Sequence, residues 1–320
     1  QLLLMMTGAE GLYQGKAGYT FPLGSNGLKA SLAYTGMHYE LIGPLKHLKG
    51  GGDANTFDTG LSYPIIRSRT LNLNSSIGFS YKLLYDYMAG ASIRNKNLQI
   101  GTISFSGDIY DRLLGGGYNG WQLGATVGNL DLTGNSIDYQ GDQLTAKANG
   151  TYSKITYSFN RLQRLTDSFS LAGSYNGQYA MDNLDSSEKF NLGGPSGIRA
   201  YPTGEGSGDI GGIITAELRY NLPVPSKWGS YQLSGFYDAG HITLHQTAWT
   251  NAVSNASGKN SYWLQGAGAG LLFSAGSRVS IKATWAHTVG NNPGRNAINS
   301  TDADGRSENN RFWLQAMLPF

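Results

Sequence analysis

The dominant pattern in this 320-residue chain is alternation of apolar and polar residues with a period of two, and that pattern restricts what the chain can fold into. In Arg278–Trp285, Val279, Ile281, Ala283 and Trp285 fall on one face, and Ser280, Lys282 and Thr284 on the other. In the stretch 71–83, Leu71, Leu73, Ile77, Phe79, Tyr81 and Leu83 oppose Asn72, Asn74, Ser76, Ser80 and Lys82. In 212–222, Ile214, Ala216, Leu218, Tyr220 and Leu222 oppose Thr215, Glu217, Arg219 and Asn221. Successive side chains of a strand point to opposite faces, so each run has one apolar and one wet face. No comparable stripe of helical period appears.

The alternation predicts an all-β chain of about fourteen strands, at 1–8, 11–23, 27–42, 54–67, 70–88, 95–113, 119–132, 144–165, 167–181, 210–224, 230–245, 262–276, 278–290 and 310–320. The spacers alternate in length. Tight turns fall at 24–27, 67–69, 165–168 and 275–278, and long connections at 43–53, 133–143, 182–209, 246–261 and 291–309. Short turns at one end and long loops at the other are the layout of an outer-membrane barrel.

Composition is compatible with that reading. The longest apolar run, Leu2–Met6, is far short of the roughly eighteen residues a membrane helix needs, but barrel strands cross a membrane with low average hydropathy. A soluble β-sandwich is the alternative. Three features favour the membrane barrel over it. Several strands exceed twelve residues. Tyr34, Tyr39, Tyr85, Tyr87, Trp121, Trp263 and Trp313 lie toward strand ends, as in an aromatic girdle. The chain ends with Phe312, Leu314, Ala316, Leu318 and Phe320 on one face, which resembles the assembly signal of bacterial outer-membrane barrels. Strand parity then puts the 275–278 turn in the periplasm and 182–209 outside the cell. The opening "QLLLMMTG" has no basic n-region or cleavage site, so it reads as beginning partway through a longer polypeptide.

Net charge is +3, from 24 basic and 21 acidic residues, too little to imply a nucleic-acid partner. Absence of cysteine excludes disulfides and thiolate metal sites. No phosphate-binding loop signature occurs. The five histidines form no metal cluster in the sequence: His241 and His245, four apart on a strand, are ~13 Å from one another. The chain is expected to be neither an enzyme nor a cofactor or metal binder.

One segment departs from the alternation. "LGGPSGIRAYPTGEGSGD", 192–209, surrounds the compact unit Ile198-Arg199-Ala200-Tyr201 with glycine. Two strands follow, one carrying Glu217-Leu218-Arg219, the other Phe236-Tyr237-Asp238-Ala239-Gly240. Alternation puts Phe236, Asp238 and Gly240 on the polar, inward face. Glu217 and Arg219 share that face of their own strand, either joining a network around Arg199 or forming an ordinary wet-face pair.

The order and spacing of these three motifs resemble those of the two-partner secretion transporters, the TpsB family, in the superfamily of the barrel-assembly insertase. "GAEGLYQGKAGYTFPLGSNGL", 8–28, is most similar to the CdiB transporters of contact-dependent growth inhibition. The resemblance implies a transmembrane barrel of sixteen strands, of which this chain would lack the first two. It implies that a plug helix and periplasmic POTRA domains precede the barrel, and that residues 1–320 are barrel throughout, with 182–209 as the inward-folding sixth extracellular loop. It implies an Arg199–Asp238 latch holding that loop in the lumen, flanked by Ile198 and Tyr201 and allowed by Gly193, Gly194 and Gly197. Such a bidentate pair would supply a Coulomb attraction of about 4 kcal/mol at ~4 Å and an effective dielectric near 20, offset in part by desolvation. The alternative is a solvated loop with an unpaired arginine. The family usually has glycine where this chain has Ala200, so either that position has negative φ or its glycine neighbours supply the flexibility.

In function, the resemblance implies a monomeric outer-membrane pore that exports a large partner exoprotein without ATP. Lipid bilayer, lipopolysaccharide and, during biogenesis, the barrel-assembly machinery are its other expected partners. A diffusion porin and a barrel insertase are the alternatives.

Overall fold

The computed structural model describes residues 1–223, 229–276 and 279–317. Its main sheet has fourteen strands in chain order. They are β1 (Leu2–Ala9), β2 (Leu12–Pro22), β3 (Lys29–Glu40), β4 (Gly50–Arg67), β5 (Leu71–Met88), β6 (Ala91–Asp111), β7 (Gly117–Asp131), β8 (Gly150–Arg164) and β9 (Phe169–Ala180), then β12 (Ile210–Asn221), β13 (Ser230–Thr243), β14 (Ser261–Ala275), β15 (Val279–Thr288) and β16 (Asn310–Met317). Between β9 and β12, the two-residue strands β10 (Phe190–Asn191) and β11 (Ser207–Gly208) pair with each other. Every predicted strand is present, and neighbours in sequence are neighbours in the sheet.

Two of the long connections differ most from the sequence reading. Residues 43–53 are not all loop: a short 3-10 turn, Gly43–Leu48, is followed directly by β4 from Gly50. The strand expected over 144–165 begins only at Gly150, because Ser136–Leu144 is a helix, α1. The side chain of Asn135 caps it by accepting from the backbone N–H groups of Ile137 and Asp138, each at 3.1 Å. The carboxylate of Asp142 then accepts from the N–H groups of Ala148 at 2.8 Å and Asn149 at 3.0 Å, turning the chain toward β8. Capping signals that depend on two or three residues are easily masked by an alternating background.

Local chemistry accounts for the turns. Gly24 and Gly27 adopt φ of 78° and 91° in the 24–27 turn. Ser68 closes the next by accepting from the N–H of Leu71 at 2.9 Å. Pro64, which lacks a donor, coincides with a register shift between β4 and β5. Residues 277 and 278 of the predicted 275–278 turn lie outside the described residues.

Contacts divide the chain into two units, 1–107, 123–155 and 180–185 in one, and 108–122, 156–179 and 186–320 in the other. The first has its own buried cluster: Leu98, Ile100, Leu130, Leu132, Ala148, Tyr152, Ala180 and Leu184. The largely buried ion pair Lys96–Asp185, at 2.6 Å, lies in the same unit. In the second unit the cluster is built from loop and sheet together. Leu192, Ile198, Ala200 and Tyr201 pack on Ile213, Phe236, Ile242, Tyr262, Leu264 and Ala286.

The other sheet face is apolar and uncovered. Ile214, Leu218, Leu233, Tyr237, Trp263, Leu271, Ile281 and Trp285 are all exposed, and in the first unit so are Leu32, Phe57, Ile77, Phe79 and Leu83. A water-soluble protein rarely leaves so continuous an apolar surface open; alternation with the apolar side outward suits a strand surrounded by lipid. No described helix is long and apolar enough to cross a membrane. Two aromatic residues depart from the expected girdle: Tyr39 donates to Asp86 at 2.8 Å, and Trp313 to the backbone of the 192–209 segment. Both have the opposite strand parity to the outward aromatics. Replacing Leu218 with arginine is expected to cost about 2–4 kcal/mol if the residue lies near the bilayer midplane. Urea titration of the protein folded into lipid vesicles measures this; an unchanged midpoint would contradict the assignment of this face to lipid.

Candidate functional site

Antiparallel register sets up the site before any loop residue is considered. On the covered face, Thr215 of β12 lies opposite Asp238 of β13, which lies opposite Gly266 of β14. One step along, Glu217 lies opposite Phe236, and Phe236 opposite Gly268. Side chains two residues apart on one strand face are separated by about 7 Å. The two carboxylates are therefore presented by adjacent rows, far enough apart for one guanidinium to fit between them.

Arg199 occupies that position. Its Nε donates to Asp238 Oδ2 at 2.9 Å, and its Nη2 to Asp238 Oδ1 at 2.8 Å. Nη1 donates to Glu217 Oε2 at 2.6 Å. The backbone N–H of Arg199 also donates to Asp238 Oδ2, at 3.1 Å. Thr215 Oγ1 donates to Asp238 Oδ1 at 3.0 Å, and Arg219 Nε to Glu217 Oε1 at 2.8 Å. The Arg199 Cζ lies 3.3 Å from the centroid of the Phe236 ring. Arg199 is 6% exposed, Glu217 5% and Asp238 0%. Two cations and two carboxylates thus balance, three of them buried and Arg219 partly exposed at the edge. Burial opposes the charge on Arg199, but Asp238 and then Glu217 outweigh it, and its pKa is raised. Lysine could not reproduce the arrangement, because only a planar fork engages one carboxylate with two donors and a second with another.

The rest of the segment holds the arginine in place. Ile198 and Tyr201 are fully buried on either side of it. The N–H of Ile198 donates to Leu192 O at 2.7 Å, and that of Gly194 to Tyr201 O at 3.1 Å. Burial pushes the Tyr201 hydroxyl up to about 12. Gly194 has φ of 116°, which an L side chain rarely adopts, and a Cβ at Gly197 would run into the carbonyl of Leu192. Gly193 is equally confined, against the carbonyl of Pro202.

Ala200 has a structural explanation. It is not among the residues with positive φ, so glycine is not required there. Its methyl group fills the space in front of Gly266: a Cβ built on Gly266 would lie 2.5 Å from that of Ala200. Gly240 is similar, since a Cβ there would meet Ile198 and Leu192. The glycines of β13 and β14 clear the wall for the segment that lies on it. The signal was present in "GAGAG", where Gly266, Gly268 and Gly270 share one face.

Several participants were not identified from the sequence. Trp313 Nε1 donates to the carbonyl of Arg199 at 2.7 Å; it alternates with Phe312 and Leu314, whose side chains are strongly exposed. Leu318 and Phe320 of the expected assembly signal lie outside the described residues. Thr215 and Leu192 carry no distinguishing pattern. Among the described residues no group of three His, Asp or Glu side chains is placed to hold a metal ion; His241 and His245 instead pack on Trp263 and Trp249, at 5.2 and 4.4 Å.

Comparison with known proteins adds a family. The description Haemolysin secretion/activation protein ShlB/FhaC/HecB matches residues 8–272. The chain is similar to the heme/hemopexin transporter protein HuxB of Haemophilus influenzae strain 86-028NP, with 29% identity over 89% of this chain and 47% of that protein. It is also similar to the outer membrane transporter CdiB of Dickeya dadantii, with 24% identity over 75% of this chain and 42% of that one. Among solved structures, CdiB from Escherichia coli superposes with a TM-score of 0.74 at 19% identity, covering 95% of this chain and 53% of the other. The chain spans about half the length of the curated relatives it matches.

The fit of Ala200 to Gly266 makes a testable pair. Gly266→Ala should destabilise the protein by about 1–3 kcal/mol, as overpacking does, and adding Ala200→Gly should recover most of the loss. Thermal unfolding in detergent of the two single variants and the double variant measures this. Additive losses in the double variant would show that the two positions do not confront each other.

Proposed function

The chain belongs to the haemolysin secretion/activation family, whose barrels lie in the bacterial outer membrane, and from that membership we propose that it is the pore of a two-partner secretion transporter. In this reading a large exoprotein, related to the CdiA-like toxins, adhesins or haemolysins, crosses from periplasm to cell surface in an extended form. The 182–209 segment is the sixth extracellular loop, folded into the lumen, and Arg199 with Asp238 and Glu217 is its latch. Gly193, Gly194 and Gly197 let it turn back, and Phe236 and Gly240 shape the wall it rests on. Nothing in the sequence resembles a nucleotide site, so the driving force would come from folding of the exoprotein outside.

The observation that carries this reading is the buried arginine with its matched carboxylates. A passive diffusion channel needs a constriction, but it does not need a loop anchored by a desolvated three-group ion cluster that can be broken and remade. Each donor in that cluster is individually replaceable by water once the loop lifts, so the anchor can be strong and still reversible. HuxB and CdiB, both transporters by name, agree with export.

Charge reversal tests the latch. Arg199→Asp places a third carboxylate against Asp238 and Glu217 and should cost at least the 3–5 kcal/mol expected for breaking a buried pair. Secretion of the partner exoprotein by the full-length transporter, or stability of the barrel, should fall sharply. Adding Asp238→Arg should restore part of it, because Glu217 can then balance the new arginine. Normal secretion by the single variant would refute the latch.

A further inference from the structure

A second set of contacts holds the same segment from the other side. Glu205, 3% exposed, is six residues beyond Arg199. Its Oε1 accepts from Asn292 Nδ2 at 2.8 Å, and its Oε2 from the backbone N–H of Ala303 at 2.7 Å. Both partners belong to the connection 289–309 between β15 and β16. That connection is itself organised around a buried carboxylate. Asp302 accepts from Asn292 Nδ2 at 3.0 Å, Arg295 Nε at 2.9 Å and Arg311 Nη2 at 3.2 Å. Arg311 also pairs with Asp304.

We propose that the 289–309 connection is a clasp on the 192–209 segment, with Glu205 as its positioning residue, and that it acts independently of the Arg199 anchor. The proposal rests on the reading of that segment as a movable loop. Three features favour it. The two anchors have no side chain in common: Arg199, Asp238, Glu217 and Arg219 form one, and Glu205, Asn292, Asp302 and Arg311 the other. The grip at Glu205 is passed to the opposite limb, since Glu205 O accepts from the N–H of Gly193 at 3.0 Å and of Leu192 at 3.2 Å. The clasp is also tied to the last strand. Arg311 and Trp313 share one face of β16; the first holds Asp302, and the second donates to the carbonyl of Arg199.

The expected behaviour follows from having two anchors in one segment. Loss of either leaves the other in place, and only loss of both frees the loop. Each carboxylate oxygen of Glu205 takes one donor, so truncating it leaves an N–H of the buried Asn292 amide without its partner and releases the N–H of the exposed Ala303 to water. The clasp is then lost rather than weakened.

Hydrogen exchange on the full-length protein in nanodiscs separates the possibilities. In Glu205→Ala, amides of 202–209 and 289–309 should exchange about tenfold faster or more, the loss expected for hydrogen bonds to a charged group, while 198–201 stays protected. In Arg199→Ala, 198–201 should exchange faster while 202–209 and 289–309 remain protected. Asn292→Ala, which removes a side-chain donor without adding or deleting charge, should reproduce the first pattern and guards against misfolding of Glu205→Ala. Unchanged exchange of 202–209 in both Glu205→Ala and Asn292→Ala would overturn the clasp. So would release of 202–209 and 289–309 by Arg199→Ala alone, which would make the two anchors one unit. Planar-bilayer conductance of the Arg199→Ala/Glu205→Ala double variant tests the pore reading separately. A closed double variant with fast exchange in both segments would refute the pore and leave the clasp standing.

Discussion

One guanidinium organises the second unit. Arg199 bridges Asp238 and Glu217, which the register of β12 and β13 has already placed in adjacent rows on a covered face. Without it, two carboxylates would be buried with only Arg219 in compensation. With it, the segment that carries the arginine is drawn onto the sheet, and Ile198 and Tyr201 can be buried on either side. The apolar packing of that segment and its ion cluster are therefore not separate contributions. Each puts the other in the geometry it requires.

The two faces of the sheet meet opposite demands. The outward face is exposed and apolar, which is stable only against lipid. The covered face can hold charge, because its charges are matched and hydrogen-bonded. It must also be flat where the segment lies, and Gly240 and Gly266 make it so. The methyl group of Ala200 is accommodated by the missing Cβ at Gly266. A motif read along the chain alone had no way to include a residue sixty-six positions away on a neighbouring strand.

The strands were legible because period-two alternation is imposed on every residue of a two-faced sheet, and an error of register would invert whole faces. Asp238 was legible for the same reason, since parity alone puts it on the polar face with Phe236. Helix α1 was not legible, because it depends on Asn135 and Asp142, two side-chain caps that interrupt no alternation. Trp313 was assigned to the outward aromatics on its position near a strand end; parity with Phe312 and Leu314 places it on the covered face, and parity is the stronger constraint.

What the sequence by itself determined is everything carried by local periodicity: fourteen strands, their order, which side chains share a face, and a glycine-rich segment with one arginine in it. Tertiary structure alone decided what that arginine and its neighbours touch. Glu205 meets the 289–309 connection, Trp313 meets the carbonyl of Arg199, and Ala200 meets Gly266. The physical reason is range. Alternation is a property of consecutive residues, whereas these contacts join positions 66 to 114 residues apart, at distances fixed only after the sheet has paired and the segment has folded onto it.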